Sequence, residues 1–239
     1  MSAGAIRTEI FVDPPQLALR TADWIAGLIG AKEGTFRIAL TGGSTPRELY
    51  RQLGARYRDL LDWTHVEFFW GDERFVPPDS PSSNYRMAHE TLLSQIPVPD
   101  ANVYPIPTTG DPDQAARAYE ATLQRAYGSQ TLDLGRPLFD LVLLGLGEDG
   151  HICSLLPGSP ALDERHRWVT AVAIGRPEVR ITLTYPVIES SRVAAFVVSG
   201  KEKAQAVRAV RAGDESLPGG RLRPQGETVW LLDRAAADI

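Results

Sequence analysis

Cysteine is nearly absent: one residue, Cys153, in 239, which excludes an internal disulfide framework, a cysteine zinc knuckle and a dithiol redox pair. The expected compartment is a reducing, cytoplasmic one. Histidine is almost as scarce, and His65, His89 and His166 stand at no metal-ligand spacing from His151 or from one another, so no metal site is expected. No apolar stretch approaches the length of a membrane span. Met1 to Pro15 carries acids and prolines and lacks the apolar core behind basic residues that marks a signal peptide. Positive charge is short as well. A formal net charge of −5 argues against a phosphate-backbone binder of nucleic acid, yet leaves room for a small anionic substrate held by a few converging cations. The hydrolase motif G-x-S-x-G is missing, as are the lysine and spacing of a nucleoside-triphosphate loop.

Present instead are apolar strand-like runs alternating with helix-like segments, the pattern of a mostly parallel, helix-covered sheet. The strand candidates are Thr8–Val12, Phe36–Leu40, Val66–Trp70, Phe139–Leu144, Trp168–Ile174, Arg180–Leu183, Val193–Ser199 and Thr228–Leu232. Helices are expected over Pro14–Ile29, Pro46–Leu53, Asn84–Leu93, Pro112–Tyr127, with Asp111 as its N-cap, and Lys201–Val210. Pro77–Pro81 and Asp214–Gly226 read as surface loops, because periodic segments lie close on both sides. Residues 1–239 are therefore expected to form a single domain.

Four strand ends carry unusual residues, and ligands in open α/β sheets bind outside the carboxyl ends of strands. After Phe139–Leu144 comes Gly145-Leu146-Gly147-Glu148-Asp149-Gly150-His151, an acid and an imidazole in a glycine-rich turn. The turn also satisfies G-x-G-x-x-G, but Asp149 would oppose a pyrophosphate, Pro157 would cut any helix short, and Trp168–Ile174 ends in Gly175 and Arg176 without an acid for a ribose. The dinucleotide reading is set aside. At Thr41-Gly42-Gly43-Ser44-Thr45-Pro46, two glycines let the backbone approach a ligand, and Pro46 stands where a helix's first position is expected. This segment is either an anion cradle or an unliganded helix start. Arg74, in Gly71-Asp72-Glu73-Arg74, is either a surface ion pair or a bidentate fork for an anion. In Ser199-Gly200-Lys201-Glu202-Lys203, the two lysines point about 200° apart on an ideal helix, so one at most serves a site. Arg180 alone is a weak signal. Cys153, two residues from His151, reads as a small buried side chain and not as a nucleophile, and the other three histidines read as structural or solvated.

The segments Leu40–Pro46, Trp70–Pro77, Ser83–Arg86, Gly145–His151 with Ser154–Pro157, and Gly200–Ala204 resemble the 6-phosphogluconolactonases in matching order, and Arg180–Thr184 and Trp230–Asp233 extend the likeness over nearly the whole chain. The resemblance implies a single α/β domain with a Rossmann-like, mostly parallel sheet covered by helices on both faces. It also implies hydrolysis of 6-phospho-D-glucono-1,5-lactone to 6-phosphogluconate in the oxidative pentose phosphate pathway, without metal or organic cofactor. On that pattern His151 is the general base, Asp149 orients it, and Gly42, Gly43, Ser44, Arg74, Arg180 and Lys203 hold the phosphate and the polar substrate. The related glucosamine-6-phosphate deaminases carry Phe-Asn-Glu-Pro where this chain has Ser154-Leu155-Leu156-Pro157, and Leu156 cannot shuttle a proton. A deaminase and a noncatalytic sugar-phosphate sensor are the alternatives; no basic helix-turn-helix segment precedes the sheet to support the second. The expected partner is a small phosphorylated sugar lactone, bound by a monomer, with an oligomer left open.

Overall fold

The apolar run Phe139–Leu144 forms β5, a strand near the middle of a six-stranded sheet, with Leu141 to Leu144 fully shielded from solvent. In the computed structural model, which describes residues 5–239, the other strands of this sheet are β1 (Ile6–Phe11), β2 (Phe36–Leu40), β3 (Val66–Trp70), β8 (Ser191–Val198) and β9 (Glu227–Asp233). Met1–Gly4, the first part of the stretch read for a signal peptide, lie outside the described residues. The order is β1-β9-β8-β5-β2-β3, and every neighbouring pair runs parallel. A strand segment buried on both faces needs no alternation of polar and apolar residues, which is why Leu141 to Leu144 is a continuous apolar run.

Helices flank this sheet. Asp13 caps α1 (Pro14–Ala31) by accepting from the Gln16 amide at 2.8 Å, and Leu17, Thr21, Ile25 and Ile29 of its inward face recur at about one turn. Trp24 and Leu28 beside them are only partly buried. α2 (Ser44–Tyr57) packs on α1, and α3 (Asn84–Thr91) packs on α2. Asp111 caps α4 (Pro112–Tyr127) as its sequence suggests. Two short helices complete the set: α5 (Tyr185–Glu189) and α6 (Ala204–Arg211).

Three strands leave the main sheet. Trp168–Ile174 and Arg180–Leu183 contribute β6 (Val169–Val172) and β7 (Arg180–Leu183); β7 pairs antiparallel with β6 on one side and with β4 (Asp72–Arg74) on the other in a second sheet, β4-β7-β6. A new strand thus begins at Asp72, directly after Gly71. Gly71 is the joint: its amide donates to Leu40 O in β2, and its carbonyl accepts from Leu183 N of β7, both at 2.9 Å. The small sheet is thereby fastened over the carboxyl ends of β2 and β3.

Two local expectations need correction. The helix after β2 begins at Ser44, two residues before Pro46. Proline fits there because an amide in the first turn has no intrahelical acceptor to lose. Lys201–Lys203 form a 3₁₀ turn ahead of α6 and not its first turn. No helix follows the glycine-rich turn: 145–159 is irregular, with Cys153 in the left-handed region at φ 48°.

Candidate active site

The carboxyl ends of β2, β3, β5 and β8 open onto one cleft of about 310 Å³. Seven residues singled out from sequence line it: Gly42, Gly43, Ser44, Arg74, His151, Arg180 and Lys203. The eighth, Asp149, stands behind His151.

Gly43, at φ 116°, is the N-cap of α2 and brings no capping side chain. The first-turn amides of Ser44 and Thr45 therefore keep their donors for a ligand, reinforced by the positive end of the helix dipole. Gly42 is required by space. A Cβ there would lie 1.9 Å from Asn84 Oδ1, and Asn84 is itself fixed by donating Nδ2 to Asp72 O at 3.0 Å. Lys203 is half-buried at the cleft, while Lys201 is exposed.

Arg74 and Arg180 are directly opposed across the β4–β7 ladder, an arrangement that like charges ordinarily disfavour. Their Nε atoms are buried with no hydrogen-bond partner in the protein. Burial, with the nearby Arg74 charge, lowers the Arg180 pKa, and Asp72 opposes that shift from 3.9 Å. Asp72 accepts from Ser154 Oγ at 2.6 Å. Glu73, beside it, is turned away from the cleft to receive the amides of Arg74, Asn84 and Tyr85 and the Ser83 hydroxyl, so it anchors the start of α3. Burial pushes the Glu73 carboxyl up, against the pull of those amides.

The catalytic-looking turn is tightly specified. Gly147 N donates to His151 O at 2.9 Å, and Gly150, at φ 76°, donates to Gly147 O at 3.0 Å. Asp149 Oδ1 lies 2.5 Å from His151 Nδ1. A carboxylate at that distance fixes a proton on Nδ1 and leaves Nε2 as the free ring nitrogen. Burial raises the Asp149 pKa, but the hydrogen bond and charge of His151, its amide and Arg176 outweigh that effect and hold the carboxyl below its usual range. Behind the turn, Gly219 N donates to Gly150 O at 2.8 Å, so part of the 214–226 segment braces the turn. Cys153 packs its Sγ against Gly71. Burial, then the Asp72 charge, push its thiol pKa well up, which keeps it a neutral thiol.

Asp72, Asn84, Ser154 and Arg176 were not among the predicted site residues. Asp72, Asn84 and Ser154 fall within segments that carried the family resemblance, whereas Arg176 had no signal beyond its glycine neighbour. His65, His89 and His166 do not line the cleft, and His89 and His166 are exposed. No cluster of three or more potential metal ligands occurs among the described residues, and none of their helices is long and apolar enough to cross a membrane.

A doubly wound α/β sheet with a cationic, amide-lined cleft at its carboxyl edge defines a protein of the Rossmann-like class that handles a small anion. The chain belongs to the family described as glucosamine-6-phosphate isomerases/6-phosphogluconolactonase, whose sequence profile matches residues 13–230. It is 42% identical over 213 residues to a 6-phosphogluconolactonase of Synechocystis, covering 87% of this chain and 86% of that protein. It is 37% identical to a chloroplastic 6-phosphogluconolactonase of Arabidopsis thaliana, covering 97% of this chain and 74% of the other. Among solved structures, the 6-phosphogluconolactonase of Trypanosoma cruzi superposes with a TM-score of 0.86 at 32% identity, over 100% of this chain and 97% of that one. A monomeric glucosamine-6-phosphate deaminase shares the fold, with a TM-score of 0.82 at 24% identity over 97% of this chain and 99% of that one.

Proposed function

We propose that this protein is a 6-phosphogluconolactonase, hydrolysing 6-phospho-D-glucono-1,5-lactone to 6-phosphogluconate in the oxidative pentose phosphate pathway. The observation that carries the mechanism is the 2.5 Å contact of His151 Nδ1 with Asp149, which leaves Nε2 as the base in a cleft lined by an anion cradle. Neutral His151 takes a proton from water through Nε2 as the water oxygen bonds to the lactone carbonyl carbon. The resulting oxyanion develops near the positive potential of Arg74 and Arg180. Collapse breaks the bond from carbonyl carbon to ring oxygen, and the imidazolium returns its proton to that oxygen. The Ser44 and Thr45 amides with Lys203 hold the remote phosphate, which positions the lactone so that a modest base suffices.

Against the deaminase alternative stands Leu156. It is 2% exposed and in contact with Gly175, and an aliphatic side chain at that position moves no proton. We read the protein as a monomer, and a lone buried thiol suits a reducing cytoplasm. The test is the opening of freshly prepared 6-phosphogluconolactone above its spontaneous rate, with ammonia release from glucosamine 6-phosphate as the counter-assay. Lactone opening without ammonia is the expected result. Ammonia release would move the assignment to the deaminases.

A further inference from the structure

The turn joining β6 to β7 reaches across to the imidazole–carboxylate pair. Gly175, at φ 76°, reverses the chain there, and Arg176 Nη1 donates to the Gly175 carbonyl at 2.9 Å, folding the guanidinium back over its own turn. Arg176 Nη2 then lies 3.1 Å from Asp149 Oδ2 and 3.4 Å from His151 Nδ1. Asp149 is therefore bridged: one oxygen faces the ring and the other faces the guanidinium. Because Nδ1 already carries the proton it shares with Asp149, the guanidinium meets that nitrogen as a charge and not as a donor.

We propose that Arg176 is a positioning residue for the His151–Asp149 pair, orienting the carboxylate through Oδ2 and opposing the build-up of positive charge on the ring. The idea rests on the lactonase reading and deepens it. A carboxylate alone beside an imidazole both orients it and favours its protonated form, and a protonated ring cannot accept a proton from water. A guanidinium on the far oxygen keeps the orientation and offsets the charge. The other charged groups around the ring do not duplicate this bridge. Glu148 on the same turn is exposed, while Asp72 and Arg74 of β4, Arg180 of β7 and Lys203 before α6 line the cleft itself. Arg176 does not line it and is one-third exposed, so its replacement leaves the fold and the anion cradle in place.

The experiment compares the intact protein with Arg176→Gln and Arg176→Lys. Steady-state kinetics are measured on fresh 6-phosphogluconolactone across pH, and the His151 ring is titrated by NMR, its signal assigned with His151→Ala. Arg176→Gln is expected to lower kcat about tenfold with little change in KM, since misplacing a catalytic group acts on turnover. Its acid limb of kcat/KM and its ring-titration midpoint should both move upward, as loss of a nearby cation dictates. Arg176→Lys keeps the charge but loses the fork, so it should restore the pH profile while recovering only part of kcat. An unchanged kcat, a loss confined to KM, or an unmoved titration in Arg176→Gln would overturn the proposal. If the unaltered protein opens no lactone, the lactonase reading falls, and the NMR titration alone decides the role of Arg176.

Discussion

Replacing Gly147 with alanine tests the geometry of the imidazole–carboxylate pair without touching either partner. Gly147 is not in the left-handed region, so alanine suits its backbone. The obstacle is space. The new Cβ would stand 2.0 Å from His151 Nδ1, 2.3 Å from its Cε1 and 2.4 Å from Asp149 Oδ1. Ordinary van der Waals contact begins at 3.4 Å, so the ring must retreat by the difference between 3.4 and 2.0, about 1.4 Å. A misplacement of about 1 Å costs roughly 10²-fold in rate, and complete loss of a general base costs up to about 10⁴-fold. Gly147→Ala should therefore lower kcat by about 10² to 10⁴, with KM little changed because the residues proposed to hold the phosphate lie on other strand ends. Stability should barely move, because the Asp149 and His151 side chains are 39% and 23% exposed and can swing toward solvent. The assay is initial-rate acid release from fresh lactone, corrected for spontaneous opening, alongside a thermal melt. A folded variant whose kcat stays within about threefold of the parent would show that the Asp149–His151 contact does not set the rate.

Three further outcomes follow from the same structure. Ser154→Ala removes the hydroxyl that donates to buried Asp72, a charge-assisted bond in a site with no exposure at Ser154. It should cost about 1–3 kcal/mol by denaturant unfolding. Gly27→Ala, on an exposed position inside α1 with nothing within 4 Å of the new Cβ, should stabilise by about 0.4–1 kcal/mol, read as a rise of about 1–4 °C in Tm. Asp149 has its folded pKa held below the ordinary carboxylate value, so its stabilising contribution is present above that ordinary value and is lost as pH falls through the folded one. Melting curves of Asp149→Asn and the parent should accordingly differ at neutral pH and converge in acid; a gap that widens on acidification would contradict the sign.

The glycine-marked strand ends were legible because glycine, proline and buried apolar runs act locally: Leu141 to Leu144 announce a strand shielded on both faces, and the residues after it announce a break. Partner choice is not local. Nothing in the period of Arg180–Leu183 says that it leaves the parallel sheet to pair with Asp72–Arg74. The start of α2 was read two residues late because proline favours a helix's first position, whereas here Gly43 turns the chain earlier and leaves the amides of Ser44 and Thr45 open. Asp149 and His151 were named together, but their contact depends on the turn geometry that Gly147 and Gly150 permit. Asp72 with Ser154, and Arg176 with Asp149, meet across 82 and 27 positions of chain, distances that only tertiary packing closes.

The proposed mechanism rests on His151 activating water against a phosphorylated lactone. The most direct measurement is the opening rate of fresh 6-phosphogluconolactone by the protein and by His151→Ala, each corrected for the uncatalysed reaction. Catalysis by the first and a loss of about 10²–10⁴ in kcat for the second, with KM nearly preserved, are the expected results. A folded His151→Ala variant that turns over at close to the parent rate would contradict that mechanism.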